Sequence, residues 1–153
     1  MTAAHSTWAD VGKLVLRLGI GAAFAVHGWP KITQQGMTWA QIGSAMPLPG
    51  ATFWGFMAAF AEFGGGILFA AGLLTRLVCA MLVINMAVAV KFHLQSPPPM
   101  NTFAMWSHAF EDGVVFLGML FIGPGRLSLD HLLFNRRRRE ELPVSQSQYQ
   151  SQR

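Results

Sequence analysis

Four long apolar stretches constrain this chain more than any other feature of its sequence. They cover about residues 11–29, 51–74, 77–94 and 106–122. A helix of about 17–25 mostly apolar residues is long enough to cross the hydrocarbon core of a bilayer. The connections between the stretches contain proline and glycine, which end helices. The pattern predicts an all-α fold: an integral membrane four-helix bundle made of two hairpins.

The low charge content excludes both a soluble globular domain and a disordered chain. Of the 153 residues, 52% are hydrophobic and only 12% are charged, whereas a soluble domain carries about 25% charged residues. So few charged residues cannot keep an ordinary globular domain or a disordered chain in solution.

The one cysteine, Cys79, excludes an intrachain disulfide and a cysteine metal cluster. We expect it to be a small buried hydrophobe.

The chain divides into three parts by composition. Residues 1–10 form a short N-terminal segment, residues 11–131 hold the four spans, and residues 132–153 are first basic and then polar. We predict that this last part is a disordered tail. The connection over residues 30–50 is long enough to hold a short surface helix around residues 38–45.

Basic residues predict the orientation in the membrane. If the helices alternate in direction, Lys13, Arg17, Arg76, Arg126 and the arginines at 136–139 all fall on one side. Loops rich in Lys and Arg face the cytoplasm. We therefore expect both termini to be cytoplasmic.

Ionisable residues inside membrane spans are costly and commonly mark functional sites. Arg76 and Arg126 mark the inner ends of two spans, and Glu62 and Glu111 lie 14 and 15 residues before them. At a rise of 1.5 Å per residue, both carboxylates lie roughly 21 Å from the inner face. The two acids are thus predicted in the outer half of the bilayer.

Histidines are predicted at the same level. His27 and His93 lie near the outer ends of their spans, and His108 lies near the outer start of the fourth. His108 and Glu111 are three residues apart and share a helix face. Asp112 lies close to the same face, so which of the two acids matters is left open. Lys91 is expected to extend its side chain outward to the interface.

A His–carboxylate cluster in a membrane suits quinone chemistry. A quinone needs hydrogen-bond donors for its carbonyls and a protonatable group for the proton that follows each electron. The predicted catalytic residues are Glu62, His108 and Glu111. The predicted ligand-binding residues are Arg17, His27, Lys31, Asn85 and His93. Quinone is the cofactor or substrate under consideration, and no metal site is predicted.

Other interpretations of these residues stay open. Glu62 and Glu111 can pair with Arg17, Lys91 or a histidine and serve only helix packing. A haem would need two axial histidines on facing helices. A di-iron site would need two Glu-x-x-His repeats and further carboxylates, and this chain has one motif in the reverse order.

Several segments in order resemble the DoxX family of small four-span bacterial membrane proteins. The matching segments are Leu16-Arg17-Leu18-Gly19, His27-Gly28-Trp29-Pro30-Lys31, Ala61-Glu62-Phe63-Gly64-Gly65-Gly66, Gly72-Leu73-Leu74-Thr75-Arg76, Asn85-Met86, Glu111 and Gly123-Pro124-Gly125-Arg126-Leu127-Ser128-Leu129-Asp130. The resemblance covers about residues 11–131. Asp112 departs from it, since an apolar residue is more usual there. The resemblance implies a multi-pass protein of the bacterial inner membrane.

Two functional hypotheses follow, and the sequence does not establish whether the chain is an enzyme. The first is a quinone-linked subunit of a membrane-associated oxidoreductase complex, for which the family resemblance implies a role with sulfur compounds or in oxidative stress. The second is a non-catalytic membrane anchor or assembly factor for a soluble redox enzyme. The expected partners are the lipid bilayer and either such an enzyme or further copies of the chain. A transporter is a weaker alternative, and nucleic-acid binding through the arginine run ranks last.

Overall fold

The computed structural model describes residues 3–133, with side chains from residue 7 onward. Five helices follow one another: α1 (Ala3–Ile32), α2 (Trp39–Gly43), α3 (Ala51–Ala71), α4 (Thr75–Gln95) and α5 (Phe103–Ile122). The described residues contain no strand. The all-α prediction is therefore confirmed for this part of the chain. The predicted disorder of the tail falls almost wholly outside the described residues.

Three helices are long and apolar enough to cross a membrane: α3, α4 and α5. They contain the second, third and fourth predicted spans. The first predicted span lies within α1, which is 30 residues long and about 45 Å at the usual rise. It carries Asp10, Lys13 and Arg17 in its first part and does not count among the three. A fourth span thus stays a proposal.

The helices pack as two hairpins. α1 lies mainly against α3, α4 lies mainly against α5, and α3 and α4 join the pairs. Ring contacts tie the hairpins together: Phe116 of α5 meets Phe24 of α1 at 4.8 Å and Phe69 of α3 at 5.1 Å between centroids. The core around these rings also holds Cys79 and Leu82 of α4, both fully buried.

Local sequence signals explain the connections. Thr38 caps α2 with a reciprocal capping box to Gln41, so the short surface helix is confirmed within the expected connection. Gly72 ends α3 in the left-handed conformation with φ of 68°, as glycine commonly does at a helix C-terminus. α1 continues through Pro30 to Ile32, two residues beyond the point at which the proline was expected to begin a loop.

The end of the bundle that holds the α3–α4 turn is closed by the segment after α5. The Asp130 carboxylate accepts hydrogen bonds from the backbone N–H groups of Leu74 (2.7 Å) and Thr75 (2.9 Å). The Asp130 N–H donates to the Gly72 carbonyl at 2.8 Å. Because these N–H groups lie at the start of α4, Asp130 supplies the cap that the helix lacks in its own sequence.

Candidate functional site

Glu62 is a buried carboxylate held by side chains from two other helices. It lies in α3, and its side chain is 3% exposed. Lys31 Nζ from α1 donates to both of its carboxylate oxygens at 2.6 Å. Asn85 Nδ2 from α4 donates to Oε1 at 3.1 Å. Glu62, Lys31 and Asn85, here called the Glu62 cluster, therefore join three helices at one point.

Close packing of α1 on α3 brings Lys31 to this point. A Cβ atom added to Gly28 would lie 2.4 Å from the backbone N of Phe63, so only glycine permits this approach of the two helices. Lys31 follows three residues later and lies on the same side of α1. The Trp39 indole N–H donates to the Lys31 carbonyl at 3.0 Å, which fixes the end of α1 against the α2 segment.

His27 connects the buried carboxylate with the outside of the bundle. Its Nε2 lies 4.0 Å from Glu62 Oε2, and its side chain is 71% exposed. The contact therefore places an exposed imidazole beside a buried carboxylate.

Helix α5 contributes Asp112 to the same region. Asp112 is half-buried, and its electrostatic partners are His108, His27, Glu111 and Glu62. His108 and Glu111 are both exposed. Asp112 is thus the half-buried acid of α5, and Glu111 lies on the exposed surface of that helix. The sequence left the choice between the two acids open.

Comparison with known proteins fixes the family. The sequence profile of the DoxX family matches residues 12–95. The chain is also 34% identical to the inner membrane protein YqjF of Escherichia coli strain K12 over 125 residues, which is 81% of this chain and 93% of that protein. This chain belongs to the DoxX family. No solved structure matches it.

The family match contains the whole Glu62 cluster. Lys31, Glu62 and Asn85 all lie within residues 12–95, as does His27. Helix α5 with His108 and Asp112 lies beyond that segment. The predicted membership in the DoxX family is confirmed, and the chain is a membrane protein. The functional roles of the individual residues stay predictions.

Arg17 is not part of the Glu62 cluster. It lies 14 residues before Lys31 in α1, about 21 Å along the helix axis. Its side chain is fully buried, and its guanidinium donates to the Leu127 carbonyl. It also packs so closely on Gly72 that a Cβ there would overlap the guanidinium. Arg17 thus closes the end of the bundle opposite Glu62, and we do not retain it as a ligand-binding candidate.

His93 also stands apart from the cluster in its contacts. It lies near the end of α4, and its Nδ1 is buried without a hydrogen-bond partner among the described residues. Its ring meets that of Phe92 at 5.7 Å. Lys91 is exposed, as the sequence predicts. Within the described residues, no hydrogen bond or ion pair joins His93 to Glu62. Its predicted ligand-binding role therefore rests only on its depth in the bundle.

Sequence reasoning missed the main partner of Glu62. The packing alternative considered Arg17, Lys91 and the histidines, whereas Lys31 forms the ion pair. Pro30 suggested that α1 ends before Lys31, but the helix runs to Ile32. Proline restricts the residue that precedes it more than the residue that follows. The spacing Gly28-x-x-Lys31 was the signal that would have placed Lys31 on the packed face.

The chemistry available at this site is hydrogen bonding and proton transfer. Lys31, Asn85 and His27 are donors, and Glu62 and Asp112 are acceptors when ionised. Among the side chains of residues 7–133, no three His, Cys, Asp or Glu groups converge as potential ligands of one metal ion.

Proposed function

We propose that this chain is a quinone-linked subunit of a membrane-associated oxidoreductase complex in the bacterial inner membrane, with sulfur compounds or oxidative stress as the context. The observation that carries the proposal is the exposed His27 imidazole 4.0 Å from the buried Glu62 carboxylate. The membrane assignment draws on the three apolar helices and on the inner-membrane relative.

The residues present fit a quinone head group. Its two carbonyl oxygens need donors, and Lys31, Asn85 and His27 supply them from α1 and α4. Glu62 orients Lys31 and Asn85 through the three hydrogen bonds that it accepts. Phe63 and Trp29, whose rings lie 5.5 Å apart, provide apolar surface at the same level. Such a mixture of apolar walls and few polar groups is typical of small-molecule sites.

A bound quinone supplies two-electron, two-proton redox chemistry. In this proposal the electrons come from a soluble redox enzyme that docks on the chain. His27 and His108 are both exposed and would supply the two protons that a quinone takes up on reduction. Asp112 lies within electrostatic range of both histidines. We propose Asp112, in place of Glu111, as the acid that α5 contributes to the site.

Binding of a short-tail quinone tests this proposal. The protein would be reconstituted in quinone-free vesicles, and the dissociation constant would be measured for wild type and variants. We expect Glu62→Gln to weaken quinone binding about tenfold. The neutral amide no longer makes the charge-assisted hydrogen bonds that orient Lys31, and their loss costs about 1.4 kcal/mol or more. The matched control is Glu111→Gln, a change of the same size at an exposed acid, which should leave binding unchanged. Equal affinities for all three proteins would refute the proposal.

A non-catalytic anchor is the second candidate, and one observation favours it. The two 2.6 Å bonds from Lys31 satisfy both oxygens of Glu62 without any ligand. In that case Glu62 only fastens α1 to α3. Glu62→Gln would then lower the stability of the bundle, and no protein in the binding series would take up quinone.

We also propose four spans with both termini in the cytoplasm. The support is that Lys13, Arg17 and Arg76 gather at one end of the bundle: Lys13 lies next to Gly125, Arg17 next to Gly72, and Arg76 next to Gly123. Lys31 lies at the other end. In a Cys79→Ala background, Gln35→Cys should react with an impermeant thiol reagent from the outside of intact cells. Reaction only after the cells are opened would contradict this orientation.

A further inference from the structure

The segment that follows α5 presents an apolar stripe outside the three apolar helices. Residues 129–133 form a short helical turn, which Ser128 caps by accepting a hydrogen bond at 3.1 Å from the backbone N–H three residues on. The leucine side chains of this turn are between 41% and 63% exposed. Their spacing of three and four residues places them on one face of a helix. Leu129, Leu132 and Leu133 are here called the leucine stripe.

Hydrogen bonds hold the leucine stripe at the level where the spanning helices end. Asp130 belongs to the same helical turn, and its carboxylate accepts from the N–H groups of Leu74 and Thr75 at 2.7 Å and 2.9 Å. Thr75 is the first residue of α4. Helices of 20–21 residues, such as α3, α4 and α5, are about 30 Å long, which is the thickness of the hydrocarbon core of a bilayer. The leucine stripe therefore lies near the boundary between acyl chains and headgroups.

Two exposed arginines without a charged partner lie at the same end of the bundle. Arg76 belongs to the first turn of α4, and Arg126 lies just before the leucine stripe. Neither side chain makes a hydrogen bond or ion pair in the part of the chain that the structure describes. The Arg76 guanidinium lies close to the end of α5, with Nη2 4.0 Å from the position of a Cβ on Gly123. Both guanidinium groups are free to bind an anion from outside the bundle.

The acids at this end do not neutralise the two arginines. The Asp10 carboxylate is buried, accepts from the backbone N–H of Arg126 at 3.1 Å and lies 3.8 Å from Lys13 Nζ. The carboxylate that caps α4 is likewise occupied. Beyond the described residues, the sequence has arginines at 136–139 and glutamates at 140–141. The arginine run begins three residues after the leucine stripe, and three residues span at most about 10 Å. This end therefore carries an excess of positive charge.

We propose that this end of the bundle binds anionic phospholipids of the surrounding bilayer. Arg76 and Arg126 contact the lipid phosphates, and the leucine stripe lies against the first part of the acyl chains. A phospholipid matches both features at once, because its phosphate is anionic and its chains are apolar. Guanidinium groups present paired N–H donors that suit phosphate oxygens. Apolar helix faces with basic neighbours bind at the headgroup boundary, and basic clusters beside a membrane helix attract anionic lipids.

Lipid-selective quenching tests the proposal. The full chain with Cys79→Ala and Leu132→Cys would carry a fluorescent dye at residue 132 in phosphatidylcholine vesicles that contain brominated phosphatidylglycerol or brominated phosphatidylcholine. Bromine on the acyl chains quenches a dye that the lipid contacts, so the two quenching curves give the enrichment of the anionic lipid. We expect about tenfold enrichment of phosphatidylglycerol. The added changes Arg76→Gln/Arg126→Gln should lower it about fivefold, because each arginine at a membrane surface strengthens the attraction of anionic lipid.

Two controls separate this site from a general attraction of lipid to the protein. Lys91→Gln removes an exposed cation from the opposite end of α4 and should leave the enrichment at residue 132 unchanged. A dye at Gln35→Cys, also at the opposite end, should show no preference for phosphatidylglycerol.

Three results would overturn the inference. A dye at residue 132 that neither lipid quenches would place the leucine stripe in water, where a soluble protein could cover it. Equal quenching by the two lipids would remove the role of the arginines, and an equal loss of enrichment in Lys91→Gln would show that the site is not selective. The vesicles contain no quinone and have the same lipids in both leaflets. The result is therefore independent of the proposed function and of the orientation of the chain.

Discussion

At the scale of single residues, the Lys31–Glu62 pair decides how a carboxylate can be buried in this protein. A buried acid is tolerated only when its charge is paired and its oxygens accept hydrogen bonds. Glu62 meets both conditions through Lys31 and Asn85. Lys31 in turn is 30% exposed along its side chain, so the pair lies at the boundary between the bundle interior and its surroundings.

Removal of Lys31 should therefore destabilise the bundle strongly. Lys31→Met leaves the Glu62 charge without its main partner, which we expect to lower the free energy of unfolding by about 2–3 kcal/mol. The double variant Lys31→Met/Glu62→Gln should recover most of this loss because no unpaired charge remains. Chemical unfolding in mixed micelles measures both.

Lys91→Met is the control for this experiment, since Lys91 is exposed and forms no ion pair among the described residues. Its effect on the free energy of unfolding should be small under conditions in which the chain is monomeric. The assignment of Lys31 as the partner of Glu62 would be wrong if both lysine variants lost the same stability.

Counting residues along the sequence predicts how deep a side chain lies in the bundle, but not the direction in which it points. Residue counting places His27 and Glu62 at a common level, and the structure brings them together. Because His108 and Glu111 are three residues apart, they share a face of α5. This spacing does not predict whether that face is buried in the bundle or exposed. Both turned out to be exposed, because packing against α4 and α1 sets the rotation of α5.

At the scale of helices, small residues set the distance between α1 and α3. Gly21, Gly28 and Gly66 each lie so close to the opposite helix that an added Cβ would come within 3 Å of its backbone. Small residues at such contacts allow membrane helices to approach closely. The close approach positions Lys31 next to Glu62, so the site depends on residues that have no chemistry of their own.

Two alanine substitutions in α1 should have opposite outcomes. Gly28→Ala places a methyl group 2.4 Å from the Phe63 nitrogen and should destabilise the bundle by about 2 kcal/mol through overpacking. Gly19→Ala meets nothing within 4 Å and should leave the melting temperature unchanged or slightly raised, because alanine favours helices. Circular dichroism on heating in detergent compares them. Equal melting temperatures for the two variants would contradict the close α1–α3 contact.

The positions of the helices were predictable because a long run of apolar residues is a strong sequence signal for a membrane-spanning helix. The second, third and fourth predicted spans lie within about three residues of α3, α4 and α5. The ends of α1 were not predicted, since the helix begins at Ala3 and passes Pro30. Neither end is marked by apolar composition: polar residues precede the span, and tertiary packing on α3 carries the helix past the proline.

At the scale of the whole molecule, the two ends of the bundle hold different groups of polar side chains. One end is closed by Arg17 and Asp130, which join the segment after α5 to α1 and to the α3–α4 turn. The other end holds the Glu62 cluster with His27 at its edge. The long-range contacts of Asp130 and Leu127 with the first half of the chain were not predictable from local sequence, because they join residues more than 50 positions apart.

We propose that the Glu62 cluster binds a quinone in addition to packing the helices together. The most direct measurement is the amount of quinone that copurifies with the native protein in mild detergent, determined by solvent extraction and mass spectrometry. We expect near-stoichiometric quinone with wild type and with Glu111→Gln, and quinone at the detergent background with Glu62→Gln. Background quinone with the wild-type protein would contradict the claim and would favour the anchor.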